Sequence, residues 1–351
     1  MSVPSHMWAI RKQAAAPGLE RIKIETPKIG SSDILVKVRA ASICGTDMHI
    51  YEWDPWAQGR VHPPLTVGHE FCGNVVQVGS EAHNIQVGDY ISGETHIVCG
   101  VCEFCRTGRG HLCPNTHIIG VDRDGAWAEY VAIPAVNAWK NPPDLPPYLA
   151  TLKENFGNAV HTAFSVDTRS KSVLVTGCGP VGVMSIPVAK ACGARQVIAT
   201  DISEYRLDLA KTLGADVIIN SADSNAAQKI VDATNGLGVD TWLEMSGAPA
   251  AIAQGFTALK SGGEVAMLGL PSKLMTFDLA NWIIFKGAVV HGIEGRRLWE
   301  TWFQAEGLLH SGAVNLEKIV THTFPFASYQ EALHVMESGK SGKVVLLFDE
   351  E

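Results

Sequence analysis

The amino-acid sequence predicts a two-domain α/β protein, one domain built from short strands and the other from a doubly wound parallel sheet. Three observations lead there. At 351 residues the chain exceeds one ordinary core and suits about two domains. From residue 171 buried-strand runs alternate with helical stretches, the rhythm of βαβ units. Before that point, short alternating runs stand between Gly and Asp turns, as in a small barrel or sandwich.

Composition narrows the class. With 46% apolar and 18% charged residues the chain is globular, not disordered. A net charge of −8 and a pI near 5.9 argue against nucleic acid or an anionic membrane as partner. No apolar run reaches the roughly 18–20 residues of a membrane span, and the basic-then-apolar pattern of a signal peptide is not found. A cytoplasmic location is expected. Of eight cysteines, four crowd into Cys99–Cys113, which points to metal binding in a reducing compartment.

In chain order, Ile34, Val36 and Val38 alternate with Lys37 and Arg39, a half-buried strand that ends near Ser42. The stretch from Cys44 to Glu70 reads as loop-rich and contains Cys44-Gly45-Thr46-Asp47-Met48-His49 and Gly68-His69-Glu70. A thiolate, an imidazole and a carboxylate there can hold zinc with one position open, the arrangement that does chemistry. Short strands follow at 71–79 and 87–91. Next stands Cys99-x2-Cys102-x2-Cys105-x7-Cys113, four thiolates able to enclose one tetrahedral ion. An iron–sulfur site is the rival reading, although its usual spacing has three residues before the last cysteine and here there are seven. Glu129–Ile133 reads as another strand, 141–147 as a Pro-rich turn region, and Thr151–Thr162 as the start of a helical pattern.

The second half opens with the strand 172–176, followed by Gly177-x-Gly179-x-x-Gly182 and a helical stretch 180–192. In that setting the first glycine allows a tight turn and the second lets backbone approach a pyrophosphate. The third lets the helix pack against the strand, and the helix N-terminus favours negative charge. Pro180 suits the first turn, whereas Pro187 should either kink the helix or mark 192 as the wrong boundary for it. Asp201 closes the next strand about 20 residues past the glycines, where an acidic side chain binds the adenosine 2′-OH. This favours NAD over NADP, while Arg206 nearby offers a phosphate partner instead. Helical 203–213, strand 217–219, helical 224–234, strand 239–244, helical 248–259 and strand 264–269 complete a Rossmann-type alternation. A helical stretch Arg296–Ser311 and a strand Lys343–Phe348 close the chain.

These motifs together resemble the zinc-containing medium-chain alcohol dehydrogenases over essentially the whole chain. Shared generally with that family are Cys44-Gly45-Thr46-Asp47, Gly68-His69-Glu70, the four-cysteine lobe and the three spaced glycines. More specific are the extension to Met48-His49-Ile50-Tyr51, then 156–162, Glu244-Met245-Ser246-Gly247 and 295–302. The resemblance implies a GroES-like catalytic domain from residues 1–157 and 297–351, a Rossmann NAD-binding domain at 158–296, and a homotetramer. It implies oxidation of L-threonine with NAD, and two zinc ions per chain, one catalytic and one structural.

It also implies residue roles. Cys44, His69 and Glu70 hold the catalytic zinc, with a structural salt bridge as the other reading of Glu70; Asp47 orients a ligand. Thr46 and His49 relay the proton, since imidazoles suit transfer near neutral pH; a capping Thr46 and a surface His49 are the plainer readings. Glu154 sits near the metal and meets the substrate ammonium. His96 tunes substrate preference, and Arg296 or Arg297 meets the substrate carboxylate unless both are solvated. Val181, Asp201 and Arg206 surround the adenosine, while Leu268, Gly269, Leu270, Ile293 and Glu294 follow the nicotinamide. Asn155 departs from the family, which more often has proline there, and Lys153 adds a charge beside Glu154. A polyol or diol dehydrogenase, or a non-catalytic zinc-stabilised NAD-binding module, would be built from the same features.

Overall fold

In the computed structural model, which describes residues 3–271 and 273–348, the strand Asp33–Ser42 is the spine of a β-rich unit. Ile34, Val36 and Val38 are buried, as their spacing predicts. Antiparallel partners are Glu70–Val78, Tyr130–Pro134 and Lys343–Leu347. Beyond them the sheet adds Tyr90–Gly93 and Ala138–Lys140 on one side and Val320–Pro325 on the other. Phe71, Ile91, Trp127, Leu333 and Leu346 share its core. Among the described residues this unit takes in those up to Glu154, Val320–Gly339 and those from Lys343 onward, so segments from both halves of the sequence build it.

The segment after Cys44 is helical, not loop-rich. Helix α1 spans Gly45–Glu52 and a second short helix spans Pro55–Arg60. Cys44 is the N-cap of α1, its N–H donating to Asp47 Oδ2 at 2.8 Å. Trp53 closes the helix in the left-handed region at φ 59°. Only Asp47 and Ile50 of α1 are buried, so it lacks the apolar stripe by which helices are read from sequence. Its caps define it instead.

The second unit, Asn155–Ile319 with Lys340–Gly342, holds six parallel strands. They are β1 Ser172–Thr176, β2 Gln196–Asp201, β3 Val217–Asn220, β4 Val239–Glu244, β5 Leu259–Met267 and β6 Val289–Gly292. The order is β3-β2-β1-β4-β5-β6, the doubly wound arrangement of a dinucleotide fold. All five residues of β1 are buried, as expected of a central strand covered on both faces. Pro187 lies inside the helix Pro180–Ala191, which runs on to Ala191 with Val183, Met184, Ile186 and Val188 all buried. Packing carries the helix past the missing N–H. The closing helix begins at Glu300 rather than Arg296, and it falls in this second unit. Strand β6, the strand Val320–Pro325 and the helix Tyr329–Glu337 were not read from the sequence.

Asp240 on β4 laces the sheet, accepting the Ser172 N–H at 3.0 Å, the Ser172 hydroxyl at 2.9 Å and Lys260 Nζ at 2.8 Å. Burial alone would raise its pKa, yet Lys260 and Ser172 hold it down at about 2. A depressed folded pKa stabilises the protein above the ordinary carboxylate value of about 4 and ceases to do so below about 2. Asp240→Asn should therefore lower the urea midpoint at neutral pH. The gap to the parent should close as pH falls from about 4 to 2; a gap independent of pH would refute the assignment.

Candidate active site

In the first unit, α1 and the start of strand Glu70–Val78 bring one sulfur, one imidazole nitrogen and one carboxylate oxygen together. Ligand atoms of Cys44, His69 and Glu70 lie within 4.8 Å of one another. His69 is 7% exposed and Glu70 fully buried. His69 Nδ1 and Asp47 Oδ1 are both buried without a hydrogen bond and stand 3.6 Å apart. The ring thus turns Nδ1 to Asp47 and leaves Nε2 as its donor to a cation. Burial opposes charge on His69, but Asp47 and Cys44 raise its pKa well above the ordinary value. An electronegative pocket with a sulfur, nitrogen and oxygen donor set fits zinc.

Glu70 has a second attachment. Lys343, fully buried, forms an ion pair with its Oε2, and the Ser42 hydroxyl donates to the same oxygen. Thr151 donates to Ser42 Oγ at 2.9 Å. Burial would raise the Glu70 pKa, yet Lys343 and His69 pull it down, while Glu70 lifts Lys343 against its own burial. The salt bridge considered for Glu70 therefore exists alongside its place in the ligand cluster. Lys343 was missed from the sequence, although a lysine opening an otherwise apolar strand was the available signal.

Thr46 Oγ1 lies 3.9 Å from Cys44 Sγ, one turn before His49 on α1. His49 is half-exposed, with Nδ1 2.8 Å from Asp54 Oδ2. Burial alone would raise Asp54, but the Ala57 N–H and His49 hold its carboxyl below the usual range. No hydrogen bond joins Thr46 to His49 directly among the described residues, so a proton passing between them needs a bridging hydroxyl. Glu154 is buried in the first turn of the helix Lys153–Phe164 and accepts the Thr95 hydroxyl at 3.1 Å. It is outside the ligand cluster but contributes to the field at Lys343. His96 is partly buried, and its Nδ1 is 3.1 Å from the buried Glu94. Lys153 and Asn155 are both buried beside Glu154.

The four cysteines Cys99, Cys102, Cys105 and Cys113 converge within 4.8 Å. Sγ–Sγ separations are 3.5 Å for Cys102–Cys105 and 3.6 Å for Cys113–Cys99. A zinc tetrahedron with bonds of about 2.3 Å has edges of roughly 3.8 Å, so one ion fits. An iron–sulfur core would hold the thiolates farther apart. Amides of Val101 and Cys102 draw Cys99 down to about 6, whereas burial lifts Cys105 to about 12. Four crowded sulfurs ionise together only around a cation.

In the second unit the first and third glycines take the tight turn and the close packing that their spacing predicts. Gly177 has φ +85°, and a Cβ on Gly182 would lie 1.8 Å from the Gly177 carbonyl oxygen. A Cβ on Gly179 would meet nothing within 4 Å, which leaves the helix N-terminus open to a diphosphate. Val181 sits in that first turn. Asp201 accepts the Cys178 N–H at 2.7 Å and the Ser203 N–H at 2.9 Å. A carboxylate has about four acceptor sites, so room remains for a ribose hydroxyl. Arg206 is on the next helix with its Nε buried and unbonded. The Leu268 and Gly269 amides donate to Glu244 O, the Ile293 amide donates to Met267 O, and Leu270 is exposed. Leu268–Leu270 and Ile293–Glu294 thus leave neighbouring parallel strands at one edge. Arg296 is buried against Asn158 rather than solvated, and Arg297 is paired with Glu300 at 3.4 Å.

A two-unit chain with a mixed-donor metal cluster, a four-thiolate lobe and a parallel dinucleotide sheet defines a zinc-dependent dehydrogenase. The chain belongs to the zinc-containing medium-chain alcohol dehydrogenase family. The alcohol dehydrogenase GroES-like domain matches residues 30–143, and the zinc-binding dehydrogenase domain matches residues 180–311. It is 53% identical to L-threonine 3-dehydrogenase of Symbiobacterium thermophilum over 344 residues, 98% of each chain. With L-threonine 3-dehydrogenase of Pyrococcus abyssi it shares 50% over 342 residues, 97% of this chain and 98% of that one. A short chain alcohol dehydrogenase from E. coli CFT073, solved with NADH, superposes at TM-score 0.90 with 28% identity. That match covers 98% of this chain and 100% of the other.

If Asp47 orients His69, Asp47→Ala should weaken zinc binding about 10–100-fold in chelator competition. The metal of the four-cysteine lobe should be retained. Unchanged affinity would remove Asp47 from the site.

Proposed function

We propose that this chain oxidises L-threonine to 2-amino-3-oxobutanoate, with NAD as hydride acceptor and zinc at Cys44, His69 and Glu70. The full-length likeness to L-threonine 3-dehydrogenases carries the substrate assignment. When bound, zinc would supply a Lewis acid for the substrate hydroxyl and NAD a hydride acceptor. The protein does the rest. Thr46 receives the hydroxyl proton, a bridging hydroxyl passes it on, and His49, steadied by Asp54, releases it to solvent. Glu154 meets the substrate ammonium, and His96, held by Glu94, borders the same substrate. Lys343 keeps Glu70 ionised, so that its carboxylate can serve both the ion pair and the metal.

The four-cysteine lobe takes a second, structural zinc, a reading supported by its sulfur spacing. Asp201 binds the adenosine ribose, with Val181 and Arg206 beside it. Leu268, Gly269, Leu270, Ile293 and Glu294 follow the cofactor toward its nicotinamide. The first, β-rich unit serves as the catalytic domain and the second unit, Asn155–Ile319 with Lys340–Gly342, as the NAD-binding domain. A homotetramer is the assembled form. In support, β6 is an edge strand with Val289 48% and Val290 42% exposed, and Ile284 and Phe285 are exposed near it in the chain. Among the described residues no helix is long and apolar enough to cross a membrane. The crowded reduced cysteines support a cytoplasmic setting.

Purified protein should generate NADH from L-threonine and stop when a chelator strips its zinc. Cys44→Ser should cut kcat by about a hundredfold or more. Faster NADH formation with sorbitol or 2,3-butanediol would transfer the substrate assignment to polyols. Asp201→Gly should raise the ratio of NADP to NAD efficiency by roughly tenfold. An unmoved ratio would detach Asp201 from the ribose.

A further inference from the structure

Glu244 lies on no metal and has no part in the proton path, yet it is fully buried at the carboxyl end of β4. Its Oε1 accepts the Ser246 N–H at 2.9 Å, the Gly247 N–H at 3.0 Å and the Thr176 hydroxyl at 3.4 Å. Its Oε2 accepts the Gly247 N–H at 3.2 Å. The backbone repeats the pattern, with Met245 N–H donating to Thr176 O and the Leu268 and Gly269 amides to Glu244 O. A Cβ on Gly269 would stand 2.5 Å from Glu244 Oε2, and one on Gly177 would stand 2.7 Å from Ser246 Cβ. Residue 244 therefore gathers three segments. Its carboxylate takes the end of β1 and the turn after β4. Its main-chain carbonyl takes the turn after β5, and the carboxylate packs under Gly269 of that turn. These strands are adjacent and parallel, so the turns leave the same edge of the sheet.

We infer that Glu244 is a positioning residue for the dinucleotide: it holds the turns that meet the diphosphate and the nicotinamide half. The inference rests on the NAD reading above and deepens it. A dinucleotide fold places its ligand at this edge, where backbone must approach closely. Side chains at Gly177 or Gly269 would collide, so neither turn can be stiffened by its own bulk. Hydrogen bonds from beneath perform that task. Ser246 and Gly247 amides that would otherwise be orphaned below the ligand find their acceptor in Glu244. Burial pushes the Glu244 carboxyl up, while the Ser246, Gly247 and Thr176 donors pull it back down.

Because the adenosine end is held at β2, by Asp201, the two halves of the cofactor can be separated experimentally. Binding of NADH and of AMP is measured for the parent enzyme, Glu244→Ala and Glu244→Gln, together with zinc content. Glu244→Ala should weaken NADH by about tenfold to a hundredfold and leave AMP within about threefold. Glu244→Gln, which keeps an acceptor oxygen, should recover most of the loss. In turnover the KM for NAD should rise while the KM for threonine and the zinc content hold. Equal losses of NADH and AMP, or NADH binding as in the parent, would overturn the inference. If Glu244→Ala does not fold, Glu244→Asp, one methylene too short to reach the turns, takes its place against Glu244→Gln. Equal NADH affinity in those two variants would overturn it as well. Failure of the parent itself to bind NADH would instead sink the NAD reading.

Discussion

A carboxylate and an ammonium shut away from water are costly apart and tolerable together, and the catalytic unit is assembled around such a pair. Glu70 and Lys343 are both fully buried and in contact. Removing either partner would leave a lone charge in the interior, a change that costs about 3–5 kcal/mol in such pairs. The two residues are far apart in sequence, so their pairing ties the last strand of the chain to the strand that begins at the metal site. Ser42 and Thr151 join the same network from two further segments. Placement of Glu70 near Cys44 and His69 depends on all four.

The metal cluster then needs little more than a short helix. Cys44 caps α1 and Asp47 answers that cap, so one turn of backbone sets both the thiolate and the group facing His69. The same turn carries Thr46, and the next carries His49 beside Asp54. A helix with almost no buried face would be marginal alone. Here Ile50 packs into the unit's core while caps hold both ends. Structural and chemical demands coincide in eight residues.

The nucleotide unit meets its ligand by another means. Its parallel sheet is an apolar platform, and its working edge consists of turns whose glycines permit close approach. Gly177 and Gly182 press against backbone, while Gly179 faces open space. Asp201 braces the first of these turns and the Glu244 carboxylate the turn after β4, where the Ser246 hydroxyl adds bonds of its own. Both are acids used first as acceptors of backbone N–H groups.

Local patterns made much of this legible before any coordinates. Strand alternation at Ile34–Val38, the βαβ rhythm after residue 171, the glycine spacing and the four-cysteine lobe are short-range signals, each complete within a few tens of residues. So was the pairing of Cys44 with His69, because motif resemblance carries it. Pro187 does not end its helix, because that helix is packed against β1 and β2, which offsets the missing N–H. Strand β6 escaped notice because its half-exposed valines lack a clear alternation. Tertiary structure alone decided that Lys343 would meet Glu70, that Asp47 would face His69, and that the Glu244 carboxylate would join the end of β1 to the turn after β4. Those contacts join residues from separate segments, and only chain closure, set by burial of apolar surface and the need to satisfy buried polar groups, brings them within reach.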